Sequence, residues 1–432
     1  MNIAVIALGK IGLPLAVQFA SMGHSVVGVD TNPATVDAVN NSREPFPGEK
    51  DLAKLLMRVV GGGRLSATTD TQAAVRVSEF VVVVVPVFVD GEGIPDFVSI
   101  DAATHEIGQA LQPGALVSYE TTLPVGTTRN RFTPMLEADS GLNVGADFSV
   151  VFSPERVFTG RVFEDLRRYP KLVGGVDKRS GELGTQFYGR VLEFDDRADL
   201  AEPNGVWNLG SAEAAELAKL AETTYRDVNI GLANQFARFA DSHKIDIYNV
   251  IEACNSQPFS HIHQPGIAVG GHCIPIYPRM YLLGDPDASV VRAAREANLE
   301  MPAYAAVRLE ETHGSLVGES VVVLGATYRG GVKETAFSGV FPLVTALESR
   351  GAAVYVHDPM LTSDELHDLG FKPYSAGSRA DAAVVQADHS EYATLQSSDL
   401  PGVRTVLDGR RILDPASWSG IDLVRLGSPD QS

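Results

Sequence analysis

NIAVIALGKIGLPLAVQFASMGHSVVGVD, residues 2–30, decides the fold of this chain. It opens with an apolar, β-branched run of strand length (2–8) and turns through glycines. Apolar residues at helical spacing follow in LPLAVQFASMG, and SVVGVD closes the stretch as a second strand ending at Asp30. This is a β-α-β opening. The alternation continues with a buried strand at 80–85, a helix near 101–111, the strand ALVSYE and another strand at 148–152. Continuous apolar strands separated by helices imply a parallel sheet covered on both faces.

From Ser211 the texture changes to SAEAAELAKLAETTYRDVNIGLANQFARFADSH, one long helical pattern without proline, suited to joining two domains or pairing two subunits. The loop SQPFSHIHQPGIAVGGHCIPIYP and a helix near 289–311 come next. A second alternating unit then starts with SVVVLG at Ser320, and its strand AAVYVHDP ends in Asp358 and Pro359, echoing Asp30 and Pro33. The expected fold is α/β, with two Rossmann-like doubly wound parallel-sheet domains joined by a long central helical segment. The expected boundaries are 1–205, 206–312 and 313–432.

A chain of 432 residues with 44% hydrophobic and 21% charged residues supports two or three domains and a large core. Its net charge of −19 argues against nucleic acid or an anionic membrane surface as partner. An anionic substrate requires a locally basic pocket. Two cysteines make no disulfide framework, which points to a reducing compartment. The N-terminus has no signal-peptide pattern, and the run VSEFVVVVVPVFV is too short for a bilayer span and is broken by Pro86. A soluble cytoplasmic protein is expected.

The turn Ala7-Leu8-Gly9-Lys10-Ile11-Gly12 keeps the second and third glycines of a dinucleotide fingerprint and replaces the first by alanine, which asks for a negative φ at Ala7. Gly9, Lys10, Ile11 and Gly12 open a helix whose N-terminus suits a pyrophosphate. Asp30 pairs with ribose hydroxyls and repels a 2′-phosphate, so NAD is favoured over NADP. A fold of this class without a nucleotide is the alternative.

Cys273 in GGHCIP is either a small buried apolar residue or a reactive thiol. Gly270 and Gly271 leave room for a ligand, and Pro275 and Pro278 stiffen the downstream chain, which favours the thiol. Cys254, in YNVIEAC, reads as core packing. Lys219 has small or apolar neighbours, and Thr223 lies one turn later on the same helix face, so a partly buried lysine competes with a solvated one. The segment HIHQPGIAVGGHC offers three histidines and a cysteine, but no paired ligand doublets of the structural-zinc kind, so no metal is expected.

In order along the chain, the glycine fingerprint, SPER (153–156), KLAETTYRDVN, GGHCIP and YRGGVKET give a sequence that resembles the UDP-glucose/GDP-mannose dehydrogenase family over almost its whole length. SPER, RDVN (226–229), QPG (264–266) and VGGHCIP are most similar to the branch that oxidises UDP-N-acetylhexosamines such as UDP-N-acetylmannosamine. The resemblance implies an N-terminal NAD domain, a central helix that forms a homodimer, and a C-terminal nucleotide-sugar domain. It implies two successive oxidations of the sugar C6 alcohol to a uronate, with a place in polysaccharide biosynthesis. Cys273 matches the nucleophile that forms a thiohemiacetal and then a thioester. Lys219 matches the lysine that stabilises oxyanions, and Thr122, in ETTLPVG, matches the threonine that orders nicotinamide and a catalytic water. Thr223 falls at a further catalytic position, Pro86 and Glu155 at cofactor positions. Arg156, Lys219, Arg226, Asn229, His261, Gly270, Gly271, Tyr277 and Arg329 fall at substrate positions, Arg329 near the diphosphate.

The chain departs from the family pattern at Thr223 for asparagine, Tyr277 for aspartate, Thr159 for the glutamate of the glucose branch, and Ala336 and Phe259 for arginines. These positions bear on thioester hydrolysis and substrate anchoring. A positioned general base contributes ~10² to 10⁴ in rate, and tyrosine, with an ordinary pKa of about 10, is a poor base near neutrality. Lys219 or a water held by Thr122 is expected to replace it. Competing readings are a UDP- or dTDP-glucose 6-dehydrogenase, a hydroxyacid dehydrogenase with one hydride transfer, and a non-catalytic nucleotide-sugar-binding homologue.

Overall fold

The computed structural model describes residues 1–90 and 93–429, so the end of the expected C-terminal domain (430–432) lies outside the described residues. The chain forms two compact units, Met1–Ala221 and Glu222–Ser432. The division falls within the 32-residue helix that sequence periodicity predicts.

In chain order, the first unit carries β1 (Asn2–Ile6), α1 (Gly12–Ser21), β2 (Ser25–Val29), α2 (Pro33–Asn40), α3 (Leu52–Gly61), β3 (Leu65–Thr68), α4 (Thr71–Arg76) and β4 (Phe80–Val83). The short hairpin β5 (Phe88–Val89) and β6 (Pro95–Asp96) leads to α5 (Val98–Gly108), β7 (Leu116–Tyr119), α6 (Thr133–Ser140), β8 (Ser149–Phe152), α7 (Val162–Arg168), β9 (Lys171–Gly175), α8 (Lys178–Val191) and β10 (Val206–Asn208). The main sheet has the order β10-β9-β8-β7-β4-β1-β2-β3. Alternate residues along a strand face opposite ways. Ile3 and Val5 join one hydrophobic cluster with Leu15 and Phe19, while Ala4 and Ile6 join another with Ile107 and Leu136, so both faces are covered. The sheet is parallel except that β9 runs antiparallel to β8. That reversal brings Lys171, the first residue of β9, beyond the carboxyl end of β8.

α9 (Ala212–His243) carries the chain into the second unit, with α10 (Ile247–Asn255), α11 (Tyr277–Gly284) and α12 (Ser289–His313). Cys254, expected in the core, is only half-buried, because α10 places it beside the buried stripe of Ile247, Tyr248 and Ile251. Then come β11 (Ser320–Leu324), α13 (Val340–Glu348), β12 (Ala353–His357), α14 (Ser363–Asp368), β13 (Ala382–Val385), β14 (Thr405–Asp408) and β15 (Asp422–Arg425). They give a parallel five-stranded sheet, β12-β11-β13-β14-β15, again clothed on both faces.

The same turn, bond for bond, occurs once in each unit. After β1, the Ala7 N–H donates to Val29 O (2.8 Å) and the Leu8 N–H to Asp30 Oδ2 (2.9 Å). After β11, the Gly325 N–H donates to His357 O (2.7 Å) and the Ala326 N–H to Asp358 Oδ2 (2.8 Å). This geometry corrects the expectation of a negative φ at Ala7. Its φ is 77°, against 107° at Gly325, so the alanine takes the left-handed conformation the missing glycine would have taken. The ladder register and the bond to Asp30 fix the turn, at roughly 1–2 kcal/mol of strain for a residue with a Cβ.

Candidate functional site

In the first unit the strand order reverses between β1 and β4, the switch point at which open α/β sheets bind ligands beyond their strand ends. Gly9 follows β1, and a Cβ built there meets nothing within 4 Å, so that side of the turn is open to a ligand. Gly12 is required for a different reason, since its Cβ would lie 1.9 Å from Ala7 O. Ile11, the N-cap of α1, makes no side-chain capping bond; the Leu13 N–H donates to Gly9 O (3.1 Å) and Pro14 has no N–H, so Gly12 offers the helix-start N–H that suits an anion. Lys10 and Ile11 lie on that turn. Asp30 is aimed there by the N–H groups of Leu8 and Asn32 (both 2.9 Å). Pro86 is exposed beyond β4, and Thr121 Oγ1 donates to Val85 O (2.7 Å), tying the loop before Thr122 to the loop before Pro86. Thr122 itself is buried.

A buried polar cluster sits where β7, β8 and β9 end or begin. Lys171 Nζ donates to Glu120 Oε2 (2.6 Å) and Glu155 Oε2 (3.1 Å), and the Tyr188 hydroxyl donates to Glu120 Oε1 (2.6 Å). Burial pushes the Glu120 carboxyl up to about 7, with Lys171 opposing and Glu155 adding to the rise. Burial also works to raise Glu155, but the Lys171 ammonium, the Arg156 N–H and the Lys219 charge outweigh it and hold that carboxyl below its ordinary value. Lys219 is therefore both buried, at 8% exposure, and an electrostatic neighbour of Glu155. The Arg156 guanidinium donates to Pro170 O (3.3 Å). Glu216, one turn before Lys219 on α9, accepts the N–H groups of Gly126 (2.5 Å) and Thr128 (2.9 Å), which anchors the loop following Thr122. Sequence reasoning missed Glu120, Lys171 and Glu216. A charged residue at a strand end or on a long helix reads as solvated unless its distant partner is known.

In the second unit Cys273 is exposed. Its carbonyl accepts the N–H groups of Ile276 (3.2 Å) and Tyr277 (2.9 Å), a turn that leads into α11. The loop before it is fastened to residues 328–338. The Gly271 N–H donates to Ala336 O (2.9 Å), and His272 Nε2 lies 3.3 Å from Glu334 Oε2. A Cβ at Gly270 would lie 2.6 Å from Tyr328 Cβ and 2.9 Å from Phe337 O, and Gly271 has a φ of 88° against the Tyr328 ring. The glycine pair thus answers to close packing and backbone conformation within the protein, rather than only to ligand room as its sequence suggested.

Arg226, Gly270 and Arg329 line a cavity of about 380 Å³, with Gln264, Gly266, Tyr328, Asp388 and Arg410 among its other walls. Tyr328 and Arg329 follow β11, Asp388 follows β13 and Arg410 follows β14, so this site too sits at the carboxyl ends around a switch in strand order. Three arginines face one aspartate there, the local basicity that an anionic ligand needs in an acidic chain. The Arg410 guanidinium donates to Gln386 O (2.6 Å), and burial holds its pKa below the ordinary value against the pull of Asp388. Arg410 was not singled out from sequence, although GRR directly after the strand TVLD was a signal, and Gln264 entered only as part of the QPG motif. Asn229, His261, Gly271, Cys273 and Tyr277 are not among the lining residues of this cavity, and Thr223 is buried on α9. Among the described residues no group of three or more His, Cys, Asp or Glu side chains could hold a metal ion, and no helix is long and apolar enough to cross a membrane.

Residues 1–192 match the NAD binding domain of the UDP-glucose/GDP-mannose dehydrogenase family, 213–302 its central domain and 322–415 its UDP binding domain. A UDP-N-acetyl-D-mannosamine dehydrogenase of Pyrococcus horikoshii is 33% identical over 421 residues, 96% of each chain. An NDP-N-acetyl-D-galactosaminuronic acid dehydrogenase of Ralstonia solanacearum is 30% identical over 95% of each. A solved UDP-D-ManNAc dehydrogenase structure from P. horikoshii superposes with a TM-score of 0.87 at 31% identity, covering both chains completely. With a dinucleotide turn at one switch point and a basic cavity at the other, the chain belongs to the UDP-glucose/GDP-mannose dehydrogenase family, NAD-dependent dehydrogenases of nucleotide sugars.

Proposed function

We propose that this protein oxidises the C6 alcohol of a UDP-N-acetylhexosamine, of the UDP-N-acetylmannosamine or UDP-N-acetylglucosamine type, to the uronate. The observation that carries the reading is in the second unit, where Gly270 walls the basic cavity and the exposed thiol of Cys273 follows three residues later. NAD, when bound, supplies the hydride acceptor for both oxidations. Gly9, Lys10, Ile11 and Gly12 hold its pyrophosphate, Asp30 its ribose hydroxyls, and Pro86, Thr122 and Glu155 its nicotinamide end. Arg226, Arg329 and Arg410 neutralise the substrate diphosphate, a task for which planar guanidinium donors are well shaped.

The first oxidation removes a hydride from C6 and a proton from its hydroxyl oxygen and leaves an aldehyde. The Cys273 thiolate adds to that carbonyl, forming a C–S bond and a thiohemiacetal whose oxyanion Lys219 stabilises. Loss of a second hydride gives a thioester, and water then breaks the C–S bond to release carboxylate and thiol. Tyr277 is unsuited to drive that last step near neutrality, so it falls to Lys219 or a water held by Thr122, with Thr223 beside the lysine on α9. We further propose the division into an NAD segment 1–205, a central segment 206–312 and a nucleotide-sugar segment 313–432, and a homodimer paired along α9. In support of pairing, Tyr225, Leu232, Phe236 and Phe239 on α9 are exposed apolar residues at helical spacing. Light scattering that finds only monomer removes the dimer.

The test of function is NADH formation and product mass with UDP-N-acetylmannosamine, UDP-N-acetylglucosamine, UDP-glucose, dTDP-glucose and GDP-mannose. A uronate from one of the two N-acetylhexosamines supports the reading. Turnover of UDP- or dTDP-glucose alone moves it to the glucose branch, and tight binding without turnover leaves a non-catalytic homologue.

A further inference from the structure

Three asparagines of the second unit converge on one short stretch of the loop that walls the basic cavity. Asn255, the last residue of α10, donates from Nδ2 to Ile262 O (2.9 Å) and accepts the Ile262 N–H at Oδ1 (2.8 Å). Asn229, on α9, donates from Nδ2 to His261 O (2.7 Å) and accepts the His263 N–H at Oδ1 (2.9 Å). Asn234, also on α9 and 1% exposed, accepts the Gly266 N–H at Oδ1 (2.9 Å) and donates to Asn298 Oδ1 (2.8 Å). Asn298 donates in turn to Asp227 Oδ1 (2.8 Å), which also takes Arg295 Nη1 (2.5 Å).

A carboxamide presents one donor and one acceptor side by side, the same edge a peptide strand presents. In extended backbone the N–H and C=O of one residue point to one side, and the flanking C=O and N–H point to the other. Asn255 takes the pair on Ile262, and Asn229 takes the flanking pair on His261 and His263. The loop is therefore gripped on both edges, as a strand is inside a sheet, by two side chains in place of two strands. Ile262 pins the same point by packing on Ala237, Ala240, Ile247, Tyr248 and Ile251. The next residues, Gln264, Pro265 and Gly266, form cavity wall, with Gln264 exposed on it.

We propose that Asn229, Asn234 and Asn255 are positioning residues for nucleotide-sugar binding, a clasp that sets Gln264 at a fixed place to read a polar edge of the UDP moiety. This rests on the nucleotide-sugar reading above. Asn255 is the discriminating position, because it is exposed and its loss removes nothing from the core.

The test is calorimetric binding of UDP, and separately of NAD, to the full chain. Wild type, Asn255→Ala, Asn255→Asp, Gln264→Ala and the Asn255→Ala/Gln264→Ala double variant are compared. Losing the two loop bonds is expected to weaken UDP binding roughly tenfold, with NAD affinity unchanged, and KM for the nucleotide sugar should rise while kcat holds. Asn255→Asp keeps the acceptor and the size but loses the donor, so it should weaken UDP binding too. The double variant should be no worse than Gln264→Ala, because the clasp acts through Gln264. UDP affinity equal to wild type in Asn255→Ala, or additive losses in the double variant, overturns the clasp and leaves the functional reading standing. A wild-type protein that binds no UDP overturns both.

Discussion

Replacing Lys171 by methionine removes one charge and little volume from the cluster that joins the ends of β7 and β8 to the start of β9. Lys171 is 4% exposed and Glu120 is fully buried, at 2.6 Å; Glu155 is 11% exposed, at 3.1 Å. With the ammonium gone, two carboxylates face each other without a cation of their own, and breaking a buried pair from one side typically costs about 3–5 kcal/mol. For a unit of this size, about 2–4 °C accompanies each kcal/mol, so the melting temperature should fall by roughly 6–20 °C at pH 8. The sign of the pH dependence comes from Glu120, whose pKa is pushed up to about 7 by burial. A carboxyl raised in the folded state contributes stability below its unfolded pKa that is lost as pH rises through the folded value. Without Lys171 the Glu120 carboxyl rises further and Glu155 loses the main charge that holds it down, so the deficit should be largest above pH 7 and shrink towards pH 5. The assay is thermal unfolding of the full chain at pH 5.5 and pH 8, beside wild type. A melting temperature within about 2 °C of wild type at pH 8, or a deficit independent of pH, would refute the cluster as the lock on these loop ends.

Other outcomes rest on particular distances. Ala7→Gly should raise stability by up to about 1.6 kcal/mol, the left-handed strain of roughly 1–2 kcal/mol less about 0.4–1 kcal/mol of added unfolded-state entropy; a lower melting temperature would contradict it. Gly12→Ala, whose Cβ meets Ala7 O at 1.9 Å, should abolish NAD binding in calorimetry, and retained affinity would show that the turn yields. Burial alone would raise Asp358, but hydrogen bonds from His389 and the Thr327 and Met360 N–H groups outweigh it and hold the carboxyl at about 2. A depressed carboxyl contributes stability above its unfolded pKa that is lost as pH falls through the folded one, here about 2 kcal/mol between pH 4 and pH 2. Asp358→Asn should flatten that acid limb in denaturant titrations. Gly270→Ala should displace Tyr328 or the Phe337 carbonyl and with them the Cys273 loop, so turnover should fall by more than tenfold while NAD affinity stays at the wild-type value.

The periodic parts of the fold were legible in the sequence because period and burial report on each other locally. Residues 2–30, the long helix and the second unit from Ser320 each announce their structure within a few turns. The reversal of β9 was not legible, since LVGG reads as a buried strand in either direction. Ala7 shows the limit of residue rules, because the ladder and Asp30 impose a conformation that alanine alone avoids. At the sites, motif residues such as Gly9, Asp30 and Cys273 stand out by their setting. Lys171, Glu216 and Arg410 acquire meaning only through partners distant in sequence. The asparagine clasp is the extreme case, since Asn234 and Asn255 look like ordinary helix residues, and Asn229 stands out only by its motif, until the loop they grip is seen.

The central claim is that one thiol links two oxidations, and the ratio of NADH formed to uronate formed measures it directly. Wild type should give two NADH for each uronate with no free aldehyde, and Cys273→Ala should give no uronate while binding NAD and UDP as wild type does. Uronate from Cys273→Ala at the wild-type rate, or a single NADH per product in wild type, would contradict the account.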